Sequence, residues 1–154
     1  MEIKLSGAIY GTITAGALIA AEFARRETYP RTIAALAIAI ALYWLAHGYA
    51  TNADIRIREK KPLTAGGFAR ALMHELPILA GAAIPLLVIV IFGLAGAKLS
   101  TGITAALWTA AATITGIELT AALRAGARGG ELAVQAVLGV ALGLLVPAIN
   151  AVLH

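Results

Sequence analysis

Glu118 is a carboxylate inside TAAATITGIELTAAL, residues 109–123, a run otherwise apolar or weakly polar. His47, Asp54, His74 and Glu75 are the other residues whose types could do chemistry with it. Imidazole and carboxylate together suit two tasks. They ligate Zn, Fe or Mn, and they take up and release protons near neutral pH. An ionised group at the centre of a bilayer costs roughly 3 kcal/mol on insertion scales, so groups of this kind face a partner or a hydrated cavity.

Depth brings the five together. Counting along the apolar runs, Glu118 falls about five residues, roughly 8 Å, from one end of its run. His47 lies near the corresponding end of an earlier run, Asp54 just beyond that end, and His74 and Glu75 where the next run begins. Faces agree in part. Tyr43, His47, Ala50 and Asp54 fall on one helical stripe, as do Thr104, Trp108, Ala111, Thr115 and Glu118. The reading is an ion-binding or proton-handling layer, with His47 and Glu118 as its intramembrane groups and Asp54, His74 and Glu75 at its mouth. If it holds a divalent metal ion, His47 and Glu118 are the candidate ligands. Plainer roles stand beside this one. Glu118 can be neutral or paired with His47 or a basic residue, and His47 can be a hydrogen-bonded packing residue. In MHELP, the acid before Pro77 is a helix N-terminus signal. Thr109, Thr113 and Thr120 can bond to backbone.

The elements that must position these residues follow from composition. The chain has 154 residues, 60% hydrophobic and 13% charged, with a mean hydropathy of +0.88. A soluble domain carries about twice that charged fraction. The surplus apolar surface is therefore expected to face a lipid bilayer. Five runs are long enough to span it: about 5–23, 32–51, 76–97, 103–123 and 132–153. Lipid requires backbone groups to be paired within a segment, so the spans are helices, and the runs lack the alternation of a barrel. The expected fold is all-α, a single integral membrane bundle of five transmembrane helices. The first run is read as a retained helix and not a cleaved signal, because its apolar stretch is long and its flank weakly basic.

One side of the membrane receives Lys4, Arg56, Arg58, Lys60, Lys61, Arg70, Arg124 and Arg128, and the other Arg25, Arg26, Arg31 and Lys98. The positive-inside rule then puts the N-terminus in the cytoplasm and the C-terminus outside, in a bacterial cytoplasmic membrane. Between spans two and three, DIRIREKK continues the second helix out of the membrane until Pro62 stops it. Leu63, Phe68, Leu72 and Leu76 then recur at helical spacing, which predicts a short amphipathic helix at the cytoplasmic interface. Its basic residues would sit near anionic headgroups. Small residues let helices approach closely in lipid. Gly7 with Gly11 and Gly139 with Gly143 are the clearest such pairs, with Gly93 and Ala97 a third. Pro85 and Pro147 each remove a helical hydrogen bond. Faces of this kind also suit a homo-oligomer.

Several chemistries are missing from the chain. There is no Cys, which excludes disulfides and thiolate metal sites. The only serines, Ser6 and Ser100, lie outside any G-x-S-x-G elbow. No H-E-x-x-H, P-loop or dinucleotide fingerprint appears. The net charge of +4 sits in short polar segments, where it sets topology and does not indicate nucleic-acid binding.

SGAIYGT at 6–12, YWLAHGYA at 43–50 and HELPI at 74–78 resemble stretches of a group of small polytopic bacterial integral membrane proteins, many from high-GC Gram-positive species. That resemblance implies a location and no activity. The chain is also similar in topology to the vacuolar iron transporter family. LAHGYA at 45–50 looks like the end of that family's second helix, where a Gly-Glu-Tyr motif stands. Tyr49 matches the Tyr, but Gly48 occupies the place of the carboxylate. The first span lacks the family's intramembrane Asp, and a basic segment replaces its Glu-rich helices. The resemblance implies five spans with a cytoplasmic extension after the second.

The function expected is a small transporter-like or channel-like protein handling a cation or protons. The alternative is a non-catalytic membrane scaffold or partner subunit docking another membrane protein through Gly7, Gly11, Gly139 and Gly143. An enzyme using Glu118 as acid or base on a lipid-soluble substrate comes third.

Overall fold

The computed structural model describes residues 5–23, 28–60 and 62–153. Lys4, Arg25, Arg26 and Lys61, counted in the charge balance, lie outside the described residues. Six helices and no strand appear among those described: α1 Leu5–Phe23, α2 Tyr29–Glu59, α3 Ala65–His74, α4 Leu76–Leu94, α5 Leu99–Arg124 and α6 Gly130–Leu153. The all-α expectation holds. Three helices, α2, α4 and α5, are long and apolar enough to cross a membrane, where five were expected. Among the described residues, α1 and α6 carry the shorter apolar stretches Ser6–Ala21 and Gly130–Leu145.

The centre of the bundle is the contact of α1 with α4. Both helices begin at the same end, and small residues let them touch backbone to backbone. A side chain on Gly11 would collide with the Ile78 carbonyl, and one on Gly81 with the Ala8 carbonyl. Pro85 lies inside α4, so Gly81, four residues earlier, loses the N–H that its carbonyl would accept. The buried Thr12 hydroxyl of α1 replaces it, lying 3.0 Å from Gly81 O and 2.9 Å from Ala8 O. The proline therefore creates the acceptor that the neighbouring helix needs.

Around this pair the core is apolar. Ala15, Ile19, Leu36, Ile40, Ala82, Ile89, Ile103, Leu107 and Ile114 form one cluster. Buried polar residues among those described are Thr12, Thr32, Asn52 and Glu75. At the end where α2 begins, Tyr29 lies over Gly93 and Gly102, and its hydroxyl donates to Lys98 O at 3.0 Å. At the opposite edge α5 and α6 run antiparallel. Gly139 meets Thr115 and Glu118, and Gly143 meets Ala111 and Thr115. Thr115 also donates across the interface to Gly139 O at 3.2 Å. Gly7, which meets Pro77, is used within the chain like Gly11, Gly93, Gly139 and Gly143. The outward faces of α2, α4 and α6 carry Ile38, Leu42, Leu87, Leu94, Val137 and Leu138, all exposed. Such a surface suits lipid better than water.

The short helix expected between α2 and α4 is α3, and it packs on α2. Lys60 closes α2 in the left-handed region, φ 52°, with its N–H bonded to Arg56 O, and Pro62 follows. The chain then reverses, and α3 runs back along the end of α2. Leu63 and Leu76, grouped with it by spacing, lie outside α3. Its apolar side is covered by α2: Trp44 Nε1 donates to Leu72 O at 3.1 Å, Leu72 fills the space over Gly48, and Phe68 meets Tyr49 edge-on.

The Thr12–Gly81 bond can be tested by its dependence on Pro85. Thr12→Val should lower stability by about 1 kcal/mol, read as a lower Tm from tryptophan fluorescence in mild detergent. In a Pro85→Ala background the Gly81 carbonyl regains a helical donor, and the same substitution should cost little. An equal cost in both backgrounds would mean that Thr12 does not serve that carbonyl.

Candidate functional site

Glu75 sits at the corner where α3 ends and α4 begins, with φ −98° and ψ 7°. It is 7% exposed. The acid before Pro77 marks a helix N-terminus as expected, since Glu75 is the N-cap residue of α4, but its side chain makes no capping hydrogen bond. It points instead at α2. Glu75 Oε2 lies 3.6 Å from His47 Nε2. Glu75 Oε1 lies 3.3 Å from His74 Nδ1 and accepts from Thr51 Oγ1 at 3.4 Å. One nearly buried carboxylate is therefore shared by two imidazoles and a hydroxyl from two elements.

Local structure explains the convergence. His47 and Thr51 are one turn apart on α2. Docking α3 through Trp44 and Gly48 holds its last turn, and so Glu75, against that stripe. The His47 ring is flanked by aromatics, stacked on Tyr43 with centroids 6.0 Å apart and 6.5 Å from the Tyr10 ring of α1. The tyrosines restrict its orientation and keep its Nε2 side toward the carboxylate.

Chemically, a carboxylate between two imidazoles can hold a proton and exchange it with either ring, once the 3.6 Å separation from His47 closes to hydrogen-bond distance. Metal binding fits less well. Among the described residues no three His, Asp or Glu side chains converge closely enough to hold a metal ion.

The remaining expected residues lie apart. Asp54 is exposed and pairs with Arg58 one turn on, at 3.0 Å, a helix-surface pair of small energetic weight. Glu118 lies on α5 against Gly139 of α6, whereas His47 reaches Glu75. His47, one of the partners considered for Glu118, is thus paired with Glu75. Thr109, Thr113 and Thr120 donate to the carbonyls of Ala105, Thr109 and Gly116, each four residues back.

Sequence reasoning missed Thr51, Trp44 and Asn52. Trp44, Gly48 and Asn52 recur at i, i+4 and i+8, a stripe as regular as the one through His47, and this is the face that meets α3. Gly48 tests the docking. Gly48→Val should displace Leu72 and loosen α3, so that trypsin cleaves after Arg70 at least about tenfold faster. Gly116→Val, at a position with open space around it, should leave that rate unchanged. Equal rates for Gly48→Val and wild type would show that the close approach is not needed.

No protein-family model, curated protein or solved structure matches the chain.

Proposed function

We propose that the protein is a five-span bacterial membrane protein that handles protons through Glu75, His47 and His74. The observation carrying this reading is the nearly buried Glu75 carboxylate, shared by His47 Nε2, His74 Nδ1 and Thr51 Oγ1. A pairing that only fixed a helix corner would need one partner; this carboxylate has Thr51 and His74 at Oε1 and the His47 imidazole 3.6 Å from Oε2.

The helix directions support five crossings. α1 and α4 start at one end, and α5 and α6 run antiparallel. α1 and α6 are 19 and 24 residues long as helices. The end bearing Arg56, Arg58, Lys60 and Arg70 is the cytoplasmic one by the positive-inside rule, which makes the Glu75 site an inner mouth. The apolar cluster beyond it is closed by Ile and Leu side chains. A path through the membrane therefore runs between copies of the chain, and the active form is a homo-oligomer.

A second reading is favoured by that same closed cluster. If nothing crosses it, the His–Glu–His group is a structural lock in a non-catalytic membrane partner. Proton flux into proteoliposomes separates the two. Wild type should dissipate an imposed pH gradient, and Glu75→Gln should be slower by at least about tenfold. Glu118→Gln should match wild type. Flux indifferent to Glu75→Gln, with the variant folded, would favour the structural lock.

A further inference from the structure

Between the end of α2 and the start of α3 lies a cleft of about 520 Å³, lined by residues that include Asn52, Arg56, Glu59, Gly66, Gly67 and Arg70. Its size falls within the roughly 300–1,000 Å³ of small-molecule sites. Four features of the cleft are unmatched by the fold around them. Asn52 is 6% exposed, and its Oδ1 has no hydrogen-bond partner. Arg56 Nε is likewise buried without one. The first turn of α3 aims its N-terminus here. Thr64 Oγ1 takes the Gly67 N–H at 3.1 Å, which leaves those of Ala65 and Gly66 without a partner in the helix. Finally, the space over Gly66 is open: a methyl group there would touch nothing within 4 Å.

A buried amide oxygen left unpaired costs free energy that a native fold normally avoids. Here it stands beside two guanidinium groups and a helix N-terminus, the combination that favours an oxyanion. Asn52 Oδ1 is an acceptor, so the ligand must also bring an O–H or N–H donor. Glu59, the acid in the lining, has an interaction of its own, and an O–H or N–H donor is compatible with it as well.

Position narrows the source. α2 has 31 residues, about 45 Å, and so overruns a hydrocarbon layer of roughly 30 Å by several turns. Counted from its start, the layer ends near Thr51, and the cleft opens directly beyond. We infer that this cleft binds a phosphate group carrying a hydroxyl-bearing substituent. Phosphoglycerol fits this description, as a lipid headgroup or as the free compound. The phosphate sits on Arg56, Arg70 and the α3 N-terminus, and the hydroxyl donates to Asn52.

The test uses the full chain in mild detergent, with tryptophan fluorescence reporting Tm. The probes are short-chain phosphatidylglycerol, phosphatidylcholine of the same chain length, and free glycerol phosphate. Phosphatidylglycerol should raise Tm saturably, and phosphatidylcholine should not. The Arg56→Gln/Arg70→Gln double variant should weaken the effect at least about tenfold. Arg58→Gln/Lys60→Gln removes two charges from the same end of α2 but outside the cleft, and should respond as wild type. A response to free glycerol phosphate as strong as to the lipid supports the site and names a soluble ligand; a response to the lipid alone supports it and names the membrane. No saturable shift with either phosphate, or equal weakening in both double variants, overturns the inference. Glu75 takes no part in it, so loss of the proton reading would leave this result standing.

Discussion

Everything in the bundle is organised around one carbonyl. Pro85 removes the donor that Gly81 O would otherwise have, and Thr12 of α1 takes its place. That exchange requires the two backbones to touch, which Gly11 and Gly81 allow. With α1 and α4 fixed at backbone contact, α5 packs across both, α6 follows α5, and α2 lies against α4. In an apolar medium an unsatisfied carbonyl is the more costly alternative, so the bond favours the pairing of α1 with α4 as well as adding stability.

The chemistry sits where this arrangement runs out. The apolar cluster fills the middle, and the polar side chains of Glu75, His47, Thr51 and Asn52 collect at the end where α2 overshoots and α3 folds back. A carboxylate at that level meets a smaller desolvation cost than one at mid-depth. It gains a buried setting without a full transfer into hydrocarbon. The hairpin of α2 and α3 supplies the walls of both the His–Glu–His group and the neighbouring cleft.

Much of this was legible in the sequence, and what was not has a physical cause. Apolar length marks helices, so the positions of α2, α4 and α5 followed from counting residues. The stop at Pro62 and a short amphipathic helix after it were legible too. What covers that helix was not, because amphipathicity shows that a face is apolar without saying whether lipid or protein meets it. The common depth of His47, His74 and Glu75 could be counted along the chain. The rotation of α5 could not. A helix that is apolar nearly all round carries no directional signal, so nothing in IELTAAL showed that Glu118 faces Gly139 of α6 and not His47. The Thr12–Gly81 bond needed both a proline and a threonine 69 residues from its acceptor, a pairing no local pattern encodes.

That separation has a consequence for the order of assembly. The α2–α3 hairpin is local and can form as soon as residue 74 has been made, since short-range contacts close first. α1 must wait for α4. Until it arrives, the Thr12 hydroxyl already has an acceptor one turn back, Ala8 O at 2.9 Å. The contact that looks redundant in the finished bundle is a parking place. It satisfies a polar side chain within its own helix, which then serves Gly81 O as well once the proline-bearing helix lies alongside.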